Sequence, residues 1–342
     1  MKHRLFTAVA AGLLAVALTA CGTTPPITPP ESVPTTPSET PPVPPTKLTI
    51  GLTYQPDIQF SAVYIAAEQG FFADAGLDIT IRHHGRGESL FGALQAGEED
   101  IVFAGGDEMM QARSQGVDIV NIATVYQQYP VAILSPVGKS IHDVPSLTGL
   151  SVGLPGEFGA NWFALLLMLK QAGMTRNDID VVSIGYTQQT ALMTGQVDAV
   201  VGFVNNDAVK LNKADFPVVA IPLTGLVGAG LGVEQKTLDQ HTPALQAFWK
   251  AFAKAMAVCI DDPSQALAAA QEHVPGLEQP ENQEMALAIL AASAELYGAK
   301  SAFGQQNTET WAYMADFMAG ADLLEQPVTA TDAYTTVVVS GG

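Results

Sequence analysis

The chain has 342 residues, of which 48% are hydrophobic and 14% are charged, and acidic residues outnumber basic ones 34 to 15. This length exceeds that of a typical compact domain and predicts two lobes or domains. A net charge of -19 argues against nucleic-acid binding, which needs clustered Lys and Arg, and against docking of the protein surface on anionic lipid. Two cysteines are too few for a disulfide-rich scaffold or a Cys-based zinc site, and we expect no metal and no cofactor.

The N-terminus has the pattern of an export signal. Residues 2–4 (KHR) precede an apolar run over residues 5–20, which is shorter than a membrane span. The run ends in LTACG, which resembles the lipobox of bacterial lipoproteins, where the cysteine is lipidated after cleavage. We therefore predict a signal peptide over residues 1–20 and a protein exported and anchored through Cys21 to the outer face of the cytoplasmic membrane. An ordinary signal peptide followed by an incidental cysteine is the alternative.

A proline-rich linker follows the signal. Residues 23–46 contain ten of the 22 prolines and no aromatic residue. Such a segment buries too little surface to offset its ordering entropy, and proline favours extended polyproline II. At about 3.1 Å per residue it could span on the order of 70 Å. We predict that residues 21–46 are the lipidated cysteine and a spacer for a domain over 47–342, with a mucin-like glycosylated stalk as the alternative.

Strands and helices then alternate in two successive runs. The first run has predicted strands at 48–52, 77–81 and 100–104 and helices at 60–70 and 88–96. The second has strands at 150–154, 179–184 and 198–203 and helices at 160–172 and 187–194. Alternation of this kind predicts right-handed crossovers and parallel sheet. Further helices are predicted at 243–260, 265–272, 284–297 and 308–324.

A short motif repeats between the two runs. The pattern L-x-x-G-x-x-D over residues 94–100 recurs over residues 192–198 at an offset of 98. We interpret the repeat as a duplicated α/β unit, although the halves of any α/β protein share some likeness. Asp100 and Asp198 both precede a strand, on the side opposite to the expected cleft, and are predicted to be structural.

The two units predict a two-lobe protein. Residues 131–135 are expected to cross from the first lobe to the second, and residues 218–233 to return. Lobe I would then comprise residues 47–133 with the C-terminal helices of 235–342, and lobe II residues 134–234. Ligands of open α/β sheets bind outside the C-terminal ends of the strands, which predicts a cleft between the lobes.

Several motifs resemble one family of proteins. They are G-x-x-Y-x-P-x-x-Q-F at 51–60, Y-x-A-x-x-x-G-F-F-x-x-x-G-L-D at 64–78, G-x-x-D at 97–100, P-G at 155–156 and G-x-V-D-A-V-V-G at 195–202. The chain resembles, over residues 47–235, the substrate-binding lipoproteins of ABC importers, in the branch of thiamine-pyrimidine, riboflavin, sulfonate and nitrate binders. The resemblance implies a hinged periplasmic-binding-protein fold of type II, in which each lobe is a mostly parallel sheet flanked by helices. It also implies a monomer that closes on one small molecule and passes it to a permease with its ATPase subunits.

The candidate ligand contacts lie in loops that follow the strands, and they are aromatic, amide or acidic. They are Tyr54, Asp57, Gln59, Asp107, Glu108, Tyr126, Tyr129, Phe158, Asn161, Gln188, Phe203, Asn205 and Asn206. Aromatic faces stack on flat rings, carboxylates accept from amino groups and amides bind ring nitrogens. This set favours a flat nitrogen heterocycle, with an aminopyrimidine precursor of thiamine as first choice and riboflavin as second.

An anionic ligand is less favoured. Nitrate or an alkylsulfonate would favour Arg, Lys or exposed helix N-termini. The basic residues near these loops are Arg82 and Arg86, and the helix N-termini at Gly106 and Ala160 could also serve.

Two other function classes are alternatives. The family also includes a fungal pyrimidine synthase that consumes its own histidine in an iron-dependent reaction. Here His83 and His84 are adjacent on a strand end and should point to opposite faces, the cysteine cluster of that enzyme is absent, and Cys259 stands alone. The sequence has no hydrolase elbow, zinc-protease motif or phosphate loop, so we predict no catalytic residue. An adhesin or sensor without a ligand on the same scaffold is the other alternative.

Overall fold

The computed structural model describes residues 44–85 and 87–341. The predicted signal peptide, Cys21 and most of the predicted linker lie outside the described residues, as does Arg86. Within the described ranges, no helix is both long enough and apolar enough to cross a bilayer.

The strands and helices alternate much as the sequence predicts. The strands are β1 (Thr46–Leu52), β2 (Leu77–His83), β3 (Ile101–Gly105), β4 (Ile119–Thr124), β5 (Val131–Pro136), β6 (Ser151–Leu154), β7 (Asp180–Ser183), β8 (Ala199–Phe203), β9 (Val218–Pro222) and β10 (Ala229–Glu234). The helices are α1 (Ser61–Glu68), α2 (Phe71–Asp74), α3 (Gly92–Ala96), α4 (Gly106–Ser114), α5 (Gly159–Gln171), α6 (Gln188–Met193), α7 (Val209–Lys213), α8 (Gln235–Asp261), α9 (Pro263–Gln271), α10 (Pro280–Tyr297), α11 (Thr308–Gly320) and α12 (Val337–Ser340).

The strands form two five-stranded sheets with equivalent topology. The order is β2-β1-β3-β10-β4 in the first sheet and β7-β6-β8-β5-β9 in the second. In the first sheet β1 pairs in parallel with β2 and β3, and β10 is antiparallel to β3 and β4. In the second, β6 pairs in parallel with β7 and β8, and β5 is antiparallel to β8 and β9. The predicted two-lobe α/β fold is confirmed, and the antiparallel strand in each sheet is the one that arrives from the other half of the chain.

The C-terminal helices divide between the two cores. Phe248 and Phe252 of α8 pack in the core of the first sheet with α1 and β1. Trp311 and Met314 of α11 instead pack with α5 and the second sheet, and Lys170 of α5 lies over an α11 ring. The prediction that all of residues 235–342 belong to lobe I is therefore wrong for α11. Its buried residues recur every three or four positions and form one apolar stripe that covers α5.

The aspartate of the repeated sequence motif makes the same kind of hydrogen bond in both lobes. The Asp100 carboxylate accepts a hydrogen bond from the Thr49 amide at 2.7 Å, in the middle of β1. The Asp198 carboxylate accepts one from the Ser151 amide at 2.9 Å, at the start of β6. Each aspartate thus holds the turn before one strand against the first strand of its sheet, which confirms the structural role predicted for both.

The residue before each aspartate packs on a glycine of the first strand. A Cβ atom on Gly51 would lie 2.1 to 2.4 Å from the carboxylate atoms of Glu99, and one on Gly153 would lie 3.1 Å from the Val197 side chain. The Glu99 side chain is fully buried and accepts hydrogen bonds from Arg82 at 2.6 Å and from the His84 ring at 2.9 Å. One position of the repeat therefore holds a buried carboxylate, paired with a partly exposed arginine, in the first lobe and an apolar side chain in the second.

Replacing Gly51 with alanine should destabilise the protein. The added methyl group would overlap the buried Glu99 carboxylate, which is held by two hydrogen bonds. Overpacking of this kind costs about 1–3 kcal/mol of unfolding free energy, measured by urea denaturation. Gly138→Ala is the matched control, because a Cβ there meets nothing within 4 Å. Equal stability of the two variants would contradict this account of Gly51.

Candidate functional site

The structure joins five polar residues into what we call the amide cluster: Asp57, Tyr126, Asn205, Asn206 and Ser293. Asp57 begins the short 3-10 turn Ile58–Phe60 after β1, and its carboxylate accepts from the Gln59 amide at 3.1 Å. The other carboxylate oxygen lies 3.5 Å from the Asn206 side-chain nitrogen. Burial raises the pKa of Asp57. A loop of the first lobe thus meets a loop of the second at this point.

The two asparagines lie on an unusual turn. Val204–Ala208 forms one turn of π-helix directly after β8, a geometry often found at functional sites. Asn205 is fully buried, and its side-chain nitrogen donates to the Ser293 hydroxyl of α10 at 2.9 Å. The wider turn therefore carries Asn205 inward to α10 and Asn206 toward Asp57.

Two atoms of the amide cluster lack partners. Among the described residues, the Asn205 side-chain oxygen and the Tyr126 hydroxyl make no hydrogen bond of standard geometry, although both are buried and the hydroxyl lies beside the Asn205 and Ser293 side chains. Burial raises the pKa of Tyr126, the neighbouring Ser293 and Asn205 side chains lower it, and the nearby negative charge of Asp57 raises it. A buried unpaired donor or acceptor costs about 1–3 kcal/mol, so a molecule that pairs with both atoms would recover that free energy.

A small cavity adjoins the amide cluster. Its volume is about 160 Å³, and Asp57 and Ile289 are among its lining residues. Ile289 and Ser293 are one turn apart on α10, so the helix connects the cavity to the cluster. The other lining residues are Ile58, Val274, Pro275, Leu277, Asn282, Met285 and Ala286. A cavity of about this size can hold a single six-membered ring.

A second group, here named the acid junction, consists of Asp107, Glu108 and Tyr129 at the N-terminus of α5. The Tyr129 hydroxyl lies 2.6 Å from the Asp107 carboxylate and 3.1 Å from the Ala160 carbonyl oxygen. Asp107 also accepts from the Glu108 amide, and Glu108 accepts from the Gly105 amide at 3.0 Å. The junction connects α4 of the first lobe to α5 of the second.

Protonation of Asp107 fits this geometry. Burial, and then the neighbouring Glu108 charge, raise the pKa of Asp107 to about 7. The single proton of the Tyr129 hydroxyl cannot serve both Asp107 and the Ala160 carbonyl. An ionised Asp107 accepts from the Tyr129 hydroxyl. A neutral Asp107 can instead donate to Tyr129, which then donates to Ala160, so that all three groups are satisfied.

The other predicted contact residues are spread around the two clusters. Tyr54 and Phe158 follow β1 and β6 and are 39% and 57% exposed, whereas Gln188 is buried at the start of α6. The Asn161 side chain donates to the Val201 carbonyl at 2.8 Å and the Phe203 amide donates to Asp207, so both hold β8 in place. No hydrogen bond of the described residues joins the side chains of Gln59, Asn161 or Gln188 to either cluster.

Sequence reasoning missed Ser293. It is a buried serine on a largely apolar helix, 88 positions from its partner Asn205. Its only signal in the sequence is a polar residue at a position where the helical period predicts an apolar one.

His83, His84 and Cys259 lie outside both clusters. His83 lies 3.1 Å from the Tyr64 hydroxyl and His84 bonds to Glu99, so the two rings point to opposite faces as predicted. Burial lowers the pKa of His83 and raises that of the Cys259 thiol to about 12, which disfavours the nucleophilic thiolate. Within the described residues, no three His, Cys, Asp or Glu side chains are arranged to hold a metal ion.

Comparison with known proteins gives the family. Residues 57–266 match the model of the NMT1/THI5-like family, which is more than half of the chain. The chain belongs to this family. Among other members, the riboflavin-binding protein RibY of Chloroflexus aurantiacus is 28% identical, over 100% of this chain and 99% of its own. A formylaminopyrimidine-binding protein of Halalkalibacterium halodurans is 26% identical, over 84% of this chain and 88% of its own.

The fold is that of a periplasmic binding protein. The aliphatic sulphonate binding protein SsuA of Escherichia coli superimposes with a TM-score of 0.69, over 84% of this chain and 97% of its own, at 18% identity. The predicted family and fold are therefore confirmed for this NMT1/THI5-like protein.

Replacing Asp107 with asparagine should change how stability depends on pH. The pKa of Asp107 is higher in the folded protein than in an unfolded chain, so its stabilising contribution is present at low pH and is lost as pH rises through about 7. Asparagine keeps the neutral donor at every pH. We expect Asp107→Asn to match the parent near pH 3, below the unfolded pKa of 3.8, and to exceed it increasingly up to about pH 7, by about 1 kcal/mol or more at pH 8, measured by urea denaturation. Asp74→Asn, an exposed acid, is the control, and a parallel pH profile for Asp107→Asn would refute the assignment.

Proposed function

We propose that this NMT1/THI5-like protein is the solute-binding component of an ABC importer and that its cleft captures a flat, uncharged nitrogen heterocycle. The observation that carries the proposal is the amide cluster, in which a buried amide oxygen and a buried hydroxyl lack partners. The relatives named as binding proteins for riboflavin and for formylaminopyrimidine support the same class of ligand.

The amide cluster suits the edge of such a ring. The free oxygen of Asn205 can accept from a ring imide or an exocyclic amino group. The Tyr126 hydroxyl can donate to a ring nitrogen or carbonyl, and Asp57 can accept a further N–H or O–H. Adjacent donors and acceptors of this kind occur on both flavins and aminopyrimidines.

Exposed aromatic side chains supply stacking surfaces. Tyr54 of the first lobe and Phe158 of the second both follow strand ends that lead to the cleft. Closure of the lobes on a flat ring would bring these two side chains against its faces.

Riboflavin is the ligand that we propose first. It is supported by the RibY relative, which aligns over the whole of both chains. An aminopyrimidine is the second candidate, because the cavity of about 160 Å³ beside Asp57 suits one ring. This order reverses the one that the residue inventory alone favoured.

Export and anchoring complete the proposal. The signal pattern and lipobox support an extracytoplasmic protein held to the membrane by lipid on Cys21, acting as a monomer that delivers its ligand to a permease. The protein would bind without chemical change, so it has no catalytic residue in this proposal.

A thermal-shift screen tests the ligand class. A ligand at 100 times its Kd adds about 2.7 kcal/mol to the unfolding free energy, so riboflavin should raise Tm by several degrees. A shift with formylaminopyrimidine or hydroxymethylpyrimidine alone would select the second candidate. No shift with any of these heterocycles would overturn the proposal.

Asn205→Ala and Phe158→Ala should each weaken riboflavin binding by more than tenfold. The first removes the unpaired acceptor of the amide cluster, and the second removes an exposed stacking surface whose loss should leave the fold intact. Quenching of riboflavin fluorescence gives the Kd. Tyr313→Ala, which removes an exposed tyrosine of α11, should bind like the parent. Unchanged affinity in both test variants would mean that the cleft lies elsewhere.

A further inference from the structure

Glu108 connects the N-termini of two helices from different lobes. Its carboxylate accepts from the Gly105 amide at 3.0 Å at the start of α4 and lies beside the Ala160 amide in the first turn of α5. A Cβ atom on Gly159 would lie 3.2 Å from one of the Glu108 oxygens. Burial raises the pKa of Glu108, and the neighbouring Gly105 and Ala160 amides oppose that rise by favouring the ionised form.

The N-terminus of α5 has no acceptor of its own. Phe158 occupies the N-cap position, where Ser, Thr, Asp or Asn would accept from the first amides, and it makes no capping hydrogen bond. The first turn of α5 also lacks an acidic residue. A helix of 13 residues carries a partial positive charge at this end, which is an attractive site for a small anion. Glu108 places a carboxylate of the chain at that position.

Among the described basic residues, Arg82 does not compensate for the loss of this helix end. The Arg82 guanidinium donates to Glu88 and, at 2.6 Å, to Glu99, and both pairs lie within the first lobe. A ligand oxyanion would therefore have to displace Glu108 or meet Asp107 beside it.

We infer that Glu108 determines the specificity of the cleft by occupying the anion-binding end of α5, so that small oxyanions are excluded and uncharged ligands are selected. The inference rests on the proposed function only in placing the acid junction at the ligand cleft. It assigns to Glu108 the role of a built-in anion and not that of a ligand contact, which was its predicted role.

Glu108→Ala should create an anion site that the parent protein lacks. Nitrate and methanesulfonate are titrated at constant ionic strength and pH 7.5, and binding is followed by calorimetry and by Tm. We expect saturable binding with a millimolar Kd in Glu108→Ala and none in the parent. Because Asp107 would ionise more readily once Glu108 is gone, the double variant Asp107→Asn/Glu108→Ala should bind these anions more tightly than the single one.

Two control variants test whether the anion site appears only when Glu108 is removed or when any acidic residue is removed. Asp107→Asn removes a buried acid of the same junction but leaves Glu108 in place, and Glu98→Ala removes an exposed acid of the same lobe; neither should bind the anions. Equal binding by Asp107→Asn, binding by the parent, or no binding by folded Glu108→Ala and the double variant would each overturn the inference. If Glu108→Ala unfolds, recovery of Tm in acetate supports the inference, and no recovery in any of the three anions overturns it. These titrations contain no heterocycle, so their failure is distinguishable from failure of the proposed function.

Discussion

The close contact of the two crossing segments is the constraint on which both lobes depend. The amides of Val125 and Tyr126, which lead toward the second sheet, donate to the Ala229 carbonyl at 2.9 and 2.8 Å, on the segment that returns. A Cβ atom on Gly228 would lie 2.2 Å from the Tyr126 carbonyl oxygen, so only glycine allows this approach. The segments must lie side by side because each leads into a strand that fills the middle of a sheet. Tyr126 and Tyr129 are carried on one of them, which places both clusters near the lobe connection.

The two clusters differ in whether their hydrogen bonds are complete. In the acid junction, the carboxylates and the Tyr129 hydroxyl find partners among helix amides and one carbonyl, provided that Asp107 holds a proton. In the amide cluster, Asn205 and Tyr126 each keep an unpaired buried atom. A buried polar group without a hydrogen bond lowers the stability of the folded protein. A bound ligand that forms a hydrogen bond with the group removes this cost. This physical difference supports the two proposals, that the amide cluster contacts the ligand and that the acid junction excludes anions.

The strands and most helices were predictable because their signals are local. Buried apolar runs mark the strands, and Gly97 and Gly195, both at positive φ, end the helices before β3 and β8. Boundaries were less predictable where local signals mislead. Helix α8 was expected to begin at Pro243, but it begins at Gln235 and is kinked at His241, just before the proline.

The site was predictable only in part. Asp57, Asn205 and Asn206 were identified from their positions after strands, and the topology brings them together. Ser293 could not be found in this way, because its place opposite Asn205 depends on how α10 packs between the lobes. The role proposed for Glu108 could not be predicted, because it depends on the missing N-cap of α5. Nothing in the sequence of α4 shows that its N-terminus lies beside that of α5.

The equivalence of the two sheets has a consequence for how such a chain could arise. Strands β1 to β5 occupy the same positions as β6 to β10 in the two sheet orders. The fifth strand of each half lies in the sheet formed by the other half. A half-chain alone would have a gap between its third and fourth strands, and its fifth strand would have no sheet. Two identical half-chains would fill both gaps by domain swapping, as a symmetric dimer. The present chain has the topology of such a dimer joined end to end. Once joined, the halves were free to diverge, as the buried Glu99 of one and the apolar Val197 of the other illustrate.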